Sequence, residues 1–405
     1  MIKEDLIFFM AMSKKEKLWL MIFLGMMAAI APLATDMYLP SLPIMQTELG
    51  ITASLAQMTL MMTLLGMALG QIFMGPISDR YGRKLPLFAG MMVFLLANAG
   101  CFLAQDIMVF LFFRFLTGFA GASGIVIARS IARDVCEGPE LTRFFAMLMM
   151  VNGLAPIIAP VLGGQLLLIA NWRSVFALLI VVGVLLALAT LIYQETLPKA
   201  KRFKGLADSF KKYPELLQNR YFLGHCLMQC FYFGAFFSYL AGSSFVFQNI
   251  YKVSPQTYSF IFGTIGIGLM LSGMVPARLA GKVADVKILK GALMVPLLSA
   301  VFMLAGFMLA APLWYTIIIL FITIVPLSVM GTASFSLALS RQGKNAGSAS
   351  ALIGFFSMIL GGCMMPVVGI AGDHTAIPMG IIMLSGYILS FICFKLMIAP
   401  EHQYQ

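Results

Sequence analysis

Gly75-Pro76-Ile77-Ser78-Asp79-Arg80-Tyr81-Gly82-Arg83-Lys84 is a ten-residue island of charge between two long apolar runs. Its surroundings decide what it is. Hydrophobic residues make up 61% of the 405-residue chain and charged residues 11%, whereas a water-soluble domain carries about 25% charge. With a mean hydropathy of +0.96, the chain cannot be one soluble core and must use lipid as solvent. The island is therefore read as a short, Gly-punctuated loop joining two membrane-spanning helices.

Working outward, continuous apolar runs of roughly 20 residues recur along the chain. They predict spans at 18–38, 54–74, 86–105, 107–127, 144–168, 174–193, 222–243, 256–276, 291–310, 313–337, 346–370 and 377–397, the tenth interrupted by Pro326. The strands of a membrane β-barrel alternate in polarity, and these runs do not. The expected fold class is thus all-α and integral to the membrane, with twelve spans. The first run follows Lys14, Lys15 and Lys17 in the manner of a signal peptide. It lacks a small-residue cleavage site and is read as a retained helix.

Of the 27 Lys and Arg residues, 24 fall in segments on one side of this arrangement; Arg173 and Lys252 fall on the other, and Arg114 lies inside a span. The positive-inside rule places the 24 in the cytoplasm, with both termini. The net charge of +11 is then an orientation signal. Nucleic-acid binding is the other reading of basic charge, but no basic stripe with interleaved aromatics lies on a soluble domain.

The longest polar stretch, Gln194 to Arg220, divides the spans six and six. Two pseudo-symmetric halves are expected, 1–193 and 222–405, joined by a cytoplasmic linker at 194–221. Faint internal echoes support the repeat. Pro160-Val-Leu-Gly163 and Pro366-Val-Val-Gly369 occupy matching places in the fifth and eleventh spans, and Arg278-Leu-Ala-Gly281-Lys282 echoes the opening island. The linker segment from Phe210 to Arg220 is either an amphipathic helix on the inner leaflet or a solvated tether.

A charge inside a bilayer costs about 2.5–3.5 kcal/mol on insertion scales and points to function. Asp36, in Thr35-Asp36-Met37-Tyr38-Leu39-Pro40, is the one acidic residue expected inside a helix core. It is either an interfacial aspartate or a proton carrier, because removal from water penalises a charged carboxylate. Arg114, in Arg114-Phe-Leu-Thr-Gly118-Phe-Ala-Gly121, is either its electrostatic partner or a charge tying helices together through carbonyls. Gly118, Gly121 and Gly124 imply close helix approach, and Arg129, Arg133 and Asp134 follow at the cytoplasmic end of the fourth span.

In the opening island, Gly75 and Gly82 allow tight turning. Asp79, with Arg80, Arg83 and Lys84, is expected to form a cytoplasmic gate by meeting the N-terminal end of the eleventh span at Ala346-Gly347-Ser348. The fifth span is rich in helix-bending and small residues: Gly153, Pro156, Ala159, Pro160, Gly163 and Gly164. Candidates for a mid-membrane substrate pocket between the halves are Tyr38, Gln229, Tyr232, Phe236 and Tyr239. Cys226 and Cys230 flank a helical turn beside His225, but no second ligand pair is visible and no metal site is expected.

The island matches G-x-x-x-D-R-x-G-R-[KR] throughout, and so resembles the loop between the second and third helices of the major facilitator superfamily. The fifth span resembles the antiporter motif G-P-x-x-G-G, with Ala159 in place of the first glycine. Residues 35–43, Arg129-Ser-Ile-Ala-Arg133-Asp134, Asn171-Trp-Arg-Ser-Val-Phe176 and Ala346-Gly-Ser-Ala-Ser-Ala351 are similar to the Bcr/CflA branch of twelve-span drug:proton antiporters. The resemblance implies export of small, mostly apolar drugs or toxic compounds by alternating access from the bacterial inner membrane. It implies small molecules and protons as partners, no cofactor beyond the proton gradient, no enzymatic activity and a monomer. An exporter of an endogenous siderophore, sugar or amino-acid derivative on the same scaffold is the alternative.

Overall fold

A computed structural model describes residues 14–136, 138–199, 202, 213–279, 281–342 and 346–402. Among these, every regular element is helical. In chain order they are α1 (Lys14–Asp36), α2 (Leu42–Leu49), α3 (Ala53–Tyr81), α4 (Lys84–Leu103), α5 (Ile107–Val135), α6 (Gly138–Ile169), α7 (Ser174–Ile192), α8 (Tyr213–Gln218), α9 (Arg220–Phe245), α10 (Pro255–Ser272), α11 (Val275–Leu279), α12 (Asp285–Met308), α13 (Leu313–Ile324), α14 (Leu327–Ser340), α15 (Ala346–Val368) and α16 (Ile377–Cys393). A π-helical turn, Val246–Ile250, extends α9.

Eleven stretches are long and apolar enough to cross a bilayer, and a shorter apolar one, Gly153–Ile169, lies within α6. They match the twelve expected spans. Helices α13 and α14 form one interrupted span, broken where Pro326 withholds a backbone donor. Large apolar side chains stay exposed, among them Ile169, Leu309 and Ile192 at 83%, 81% and 73%. Water would penalise such a surface; lipid accepts it.

The charged island is not the ten-residue loop expected from its polarity. Helix α3 runs through Gly75 and Pro76 to Tyr81, leaving only Gly82 and Arg83 before α4. Ser78 Oγ donates to the Gly75 carbonyl at 2.8 Å, and Asp79 pairs with Arg83 one turn later, so polar groups at the helix end are satisfied locally. Gly82 then stops the helix with φ +94°, a conformation open to glycine. Gly281 does the same after α11, with φ +76°, so the faint echo of the island includes its terminating glycine.

Contacts divide the chain into two compact units, and the division does not follow chain order. Unit 1 comprises Met1–Tyr38 and Met62–Ala207; unit 2 comprises Leu39–Met61 and Asp208–Gln405. In unit 1, α5 packs on α1 and α4, α7 packs on α4, and α6 packs on α1. A Cβ on Gly118 of α5 would sit 1.9 Å from the Thr63 carbonyl of α3, so these two backbones touch. In unit 2, α9 packs on α15 and α16, and α12 packs on α13, α14 and α16. Residues 39–61 join unit 2 through side-chain to main-chain bonds. Ser54 Oγ donates to Pro366 O at 2.8 Å, Gln57 Nε2 to Ala241 O at 3.3 Å, and Gln248 Nε2 to Pro40 O at 3.1 Å.

Within the linker, α8 is the short helix of one expected form, but its apolar Leu216 does not face outward. Its Leu216 is buried against Phe222, Ala338, Ala349, Leu352 and Ile353 of unit 2. This helix therefore spends its apolar face on protein. Residues 203–212 lie outside the described part of the chain.

Candidate functional site

The first candidate lies inside unit 1. Arg114, on α5, is fully buried. Its Nη1 donates to the Ala34 carbonyl near the end of α1 at 3.0 Å. Its guanidinium lies over the rings of Tyr38, 4.9 Å to the centroid, and Phe176, at 5.7 Å. Aromatic faces attract a desolvated cation. Phe110 and Trp172 close the cage, Phe110 edge-on to Phe176 at 5.4 Å and Trp172 edge-on to Phe110 at 5.8 Å. Arg114 Nε and Nη2 meet no hydrogen-bond acceptor among the described residues. The sequence reading missed the cage, although its signal was present: Trp172 and Phe176 belong to the Asn171–Phe176 motif.

Asp36 ends α1 and is 7% exposed. No hydrogen bond or ion pair joins it to Arg114 among the described residues, and of the two readings of Arg114 the bond to Ala34 O is the one that ties helices together through a carbonyl. The guanidinium is instead held by Ala34 O and the ring faces. The proline- and glycine-rich α6 meets the chain immediately after Asp36: a Cβ on Gly163 would lie 1.9 Å from Met37 O. Ala159, Pro160, Gly163 and Gly164 are buried, whereas Gly153 and Pro156 are partly exposed. The segment read as an antiporter motif is thus a close backbone contact beside Asp36.

The second candidate, also in unit 1, surrounds the Gly82 turn. Arg83, 5% exposed, reaches Asp134 Oδ2 through Nε at 2.7 Å and Oδ1 through Nη2 at 3.2 Å. Its Nη1 donates to Ser78 Oγ at 2.9 Å and to Asp79. Burial would depress this guanidinium, but hydrogen bonds and charge from Asp134 and Asp79 outweigh it and hold Arg83 above the usual arginine range. Of the expected gate residues, Asp79 and Arg83 come together, joined by Asp134 from the cytoplasmic end of the fourth span, while Arg80, and Arg129 and Arg133 of that same span end, are exposed. The side chains of Ala346, Gly347 and Ser348, the expected partners of Asp79, lie outside the described residues.

Glu195, which the sequence reading missed, completes this cluster. It accepts from the backbone N–H of Arg83 at 2.9 Å and of Lys84 at 3.2 Å, capping the start of α4. A carboxylate is favoured at such a helix N-terminus. Arg202 lies 3.7 Å from it, and Lys84 Nζ donates to Leu191 O at 2.7 Å. An acidic residue following the sixth span in a strongly basic segment was the available signal.

Of the pocket candidates, Tyr38 belongs to the Arg114 cage. The others lie on α9 in unit 2. Tyr239 stacks on Phe262 at 5.6 Å and Phe236 lies 6.1 Å from Tyr239, so both belong to an aromatic cluster. Gln229 and Tyr232 face α14. His225 Nδ1 is hydrogen-bonded to Ser334 Oγ at 2.9 Å, and Cys226 packs in the Leu216 cluster.

Spanning helices, charged side chains buried in their midst and an ion-paired turn are those of a multi-pass membrane protein. The model of the Major Facilitator Superfamily matches residues 24–366, and the chain belongs to that superfamily. It is 38% identical to the uncharacterised MFS-type transporter YdgK of Bacillus subtilis (strain 168), over 94% of this chain and 95% of that protein. It is 28% identical to the bicyclomycin resistance protein homolog of Haemophilus influenzae, over 92% of this chain and 94% of that one. Among solved structures, a bacterial homolog of the human lysosomal transporter Spinster superposes with a TM-score of 0.76 at 14% identity, covering 95% of this chain and 98% of the other. The fold is that of a facilitator.

Proposed function

We propose that this chain is a proton-driven antiporter that exports small, mostly apolar compounds by alternating access. The observation that carries this reading is Asp36, an acidic side chain 7% exposed at the end of an apolar helix and without a partner among the described residues. A carboxyl there satisfies no structural partner, and taking up and releasing a proton gives it a role. The named relative's association with bicyclomycin resistance supports a drug-like substrate. Arg114 braces α1 beside the proton site, and the contact of Gly163 with Met37 lets α6 sense or seal that position. The Asp79–Arg83–Asp134 cluster, with Arg80, Gly82 and Lys84, serves as a gate on the cytoplasmic face. The protein works as a monomer in the bacterial inner membrane, with both termini inside, and the proton gradient is its only energy source.

The test is proton release from energised inverted vesicles challenged with a panel of antibiotics. Wild type is expected to release protons on addition of at least one compound, and Asp36→Asn to release none. Full exchange by Asp36→Asn would remove Asp36 from the coupling path. A well-expressed wild type that responds to no drug but to an endogenous metabolite would replace the substrate class.

A further inference from the structure

Midway along α9, His225, Gln229 and Tyr232 recur at helical spacing and share one face. Helix α14 lies opposite. Ser334 Oγ is taken by His225 Nδ1 at 2.9 Å and approached by Gln229 Nε2 at 3.5 Å. Tyr221 extends the column, its ring edge-on to His225 at 4.7 Å and its hydroxyl donating to Leu337 O at 3.5 Å. Tyr232 is different. It is fully buried, and its hydroxyl has no hydrogen-bond partner among the described residues. Leaving a buried donor unmade is costly, and native structures do so rarely.

The space beside that hydroxyl is also unusual. A Cβ built on Gly331, one turn before Ser334 on α14, would meet a single atom within 4 Å, the Tyr232 hydroxyl oxygen at 3.9 Å. The absence of a side chain at Gly331 therefore leaves a notch, and the unpaired hydroxyl points at it. Gly331 itself is partly exposed, while the Tyr232 hydroxyl is closed to solvent in this conformation.

We propose that Tyr232, presented at the Gly331 notch, is a hydrogen-bonding subsite for an acceptor oxygen of the exported compound, a carbonyl or an ether. Gln229 and Ser334 form the polar wall next to it. The inference rests on the export reading above and gives it a chemical preference. Compounds with an exposed acceptor oxygen would gain a directed bond to this hydroxyl, and compounds without one would not.

Two measurements test it. Proton release from inverted vesicles is titrated with chloramphenicol, which carries an amide carbonyl, and with tetraphenylphosphonium, which carries no acceptor atom. One lost hydrogen bond is expected to move the ratio of their half-maximal concentrations about three- to tenfold against chloramphenicol in Tyr232→Phe. Gly331→Val, which fills the notch, is expected to shift it in the same direction. An unchanged ratio in both variants overturns the subsite. If wild type responds to neither compound, the export reading is judged on the wider antibiotic panel, and the subsite is judged by thermal unfolding of purified protein without added compound. There Tyr232→Phe is expected to unfold at the wild-type temperature or above it, because it deletes an unpaired hydroxyl. A lower midpoint would mean that the hydroxyl is bonded within the protein and would overturn the proposal.

Discussion

At the scale of single residues, Arg83 and Arg114, the buried arginines among the described residues of unit 1, are stabilised in different ways. Arg83 is held by carboxylates, with a fork of two bonds to Asp134 and a further pair with Asp79. Arg114 is held by one carbonyl and two ring faces. Removing one member of a buried ion pair leaves the other uncompensated, at about 3–5 kcal/mol. Arg83→Ala is therefore expected to lower thermal stability sharply in detergent. Arg83→Lys keeps the charge but not the planar fork, and should recover only part of the loss. Recovery to wild type by lysine would mean that charge alone matters at this turn.

At the scale of elements, glycine decides how closely helices approach. Gly118 lets α5 lie backbone to backbone on α3, and Gly163 lets α6 lie against Met37. The atoms that an added Cβ would strike are carbonyl oxygens, which cannot rotate away as a flexible side chain can. Overpacking of this kind costs about 1–3 kcal/mol. Gly118→Ala is expected to lower the unfolding midpoint, whereas Gly121→Ala, whose Cβ would meet Ala31 at 3.5 Å, should be nearly silent. Equal effects at the two positions would show that the α3–α5 contact is looser than described. The glycines and the RxxxG spacing were visible in the sequence. Which of them touches a backbone was not, because that depends on the crossing point of two helices.

At the scale of the whole molecule, the division into units predicts how the chain can be cut. Separate fragments 1–207 and 208–405 break it within the linker, yet unit 2 needs residues 39–61, whose Ser54 and Gln57 bond to Pro366 and Ala241. Fragment 208–405 expressed alone is expected to unfold at a lower temperature than the same fragment co-expressed with 1–207. Equal midpoints would mean that the three side-chain to main-chain bonds contribute little.

The sequence by itself determined the solvent, the number of spans, their sidedness as an expectation, and the superfamily. These follow from local quantities: runs of about 20 apolar residues, the placement of lysine and arginine, and a short motif whose residues are adjacent in the chain. It also singled out Asp36 and Arg114, since charge within an apolar run is legible one helix at a time. Only the tertiary structure decided what those residues touch. It set Arg114 in an aromatic cage bonded to Ala34 O, brought Glu195 to the start of α4, turned the charged island into helix, and left Tyr232 facing the notch at Gly331. Each of these depends on residues far apart in the chain or on helix ends satisfied by side chains. Their energies come from contacts made after helices pack, which no periodicity records.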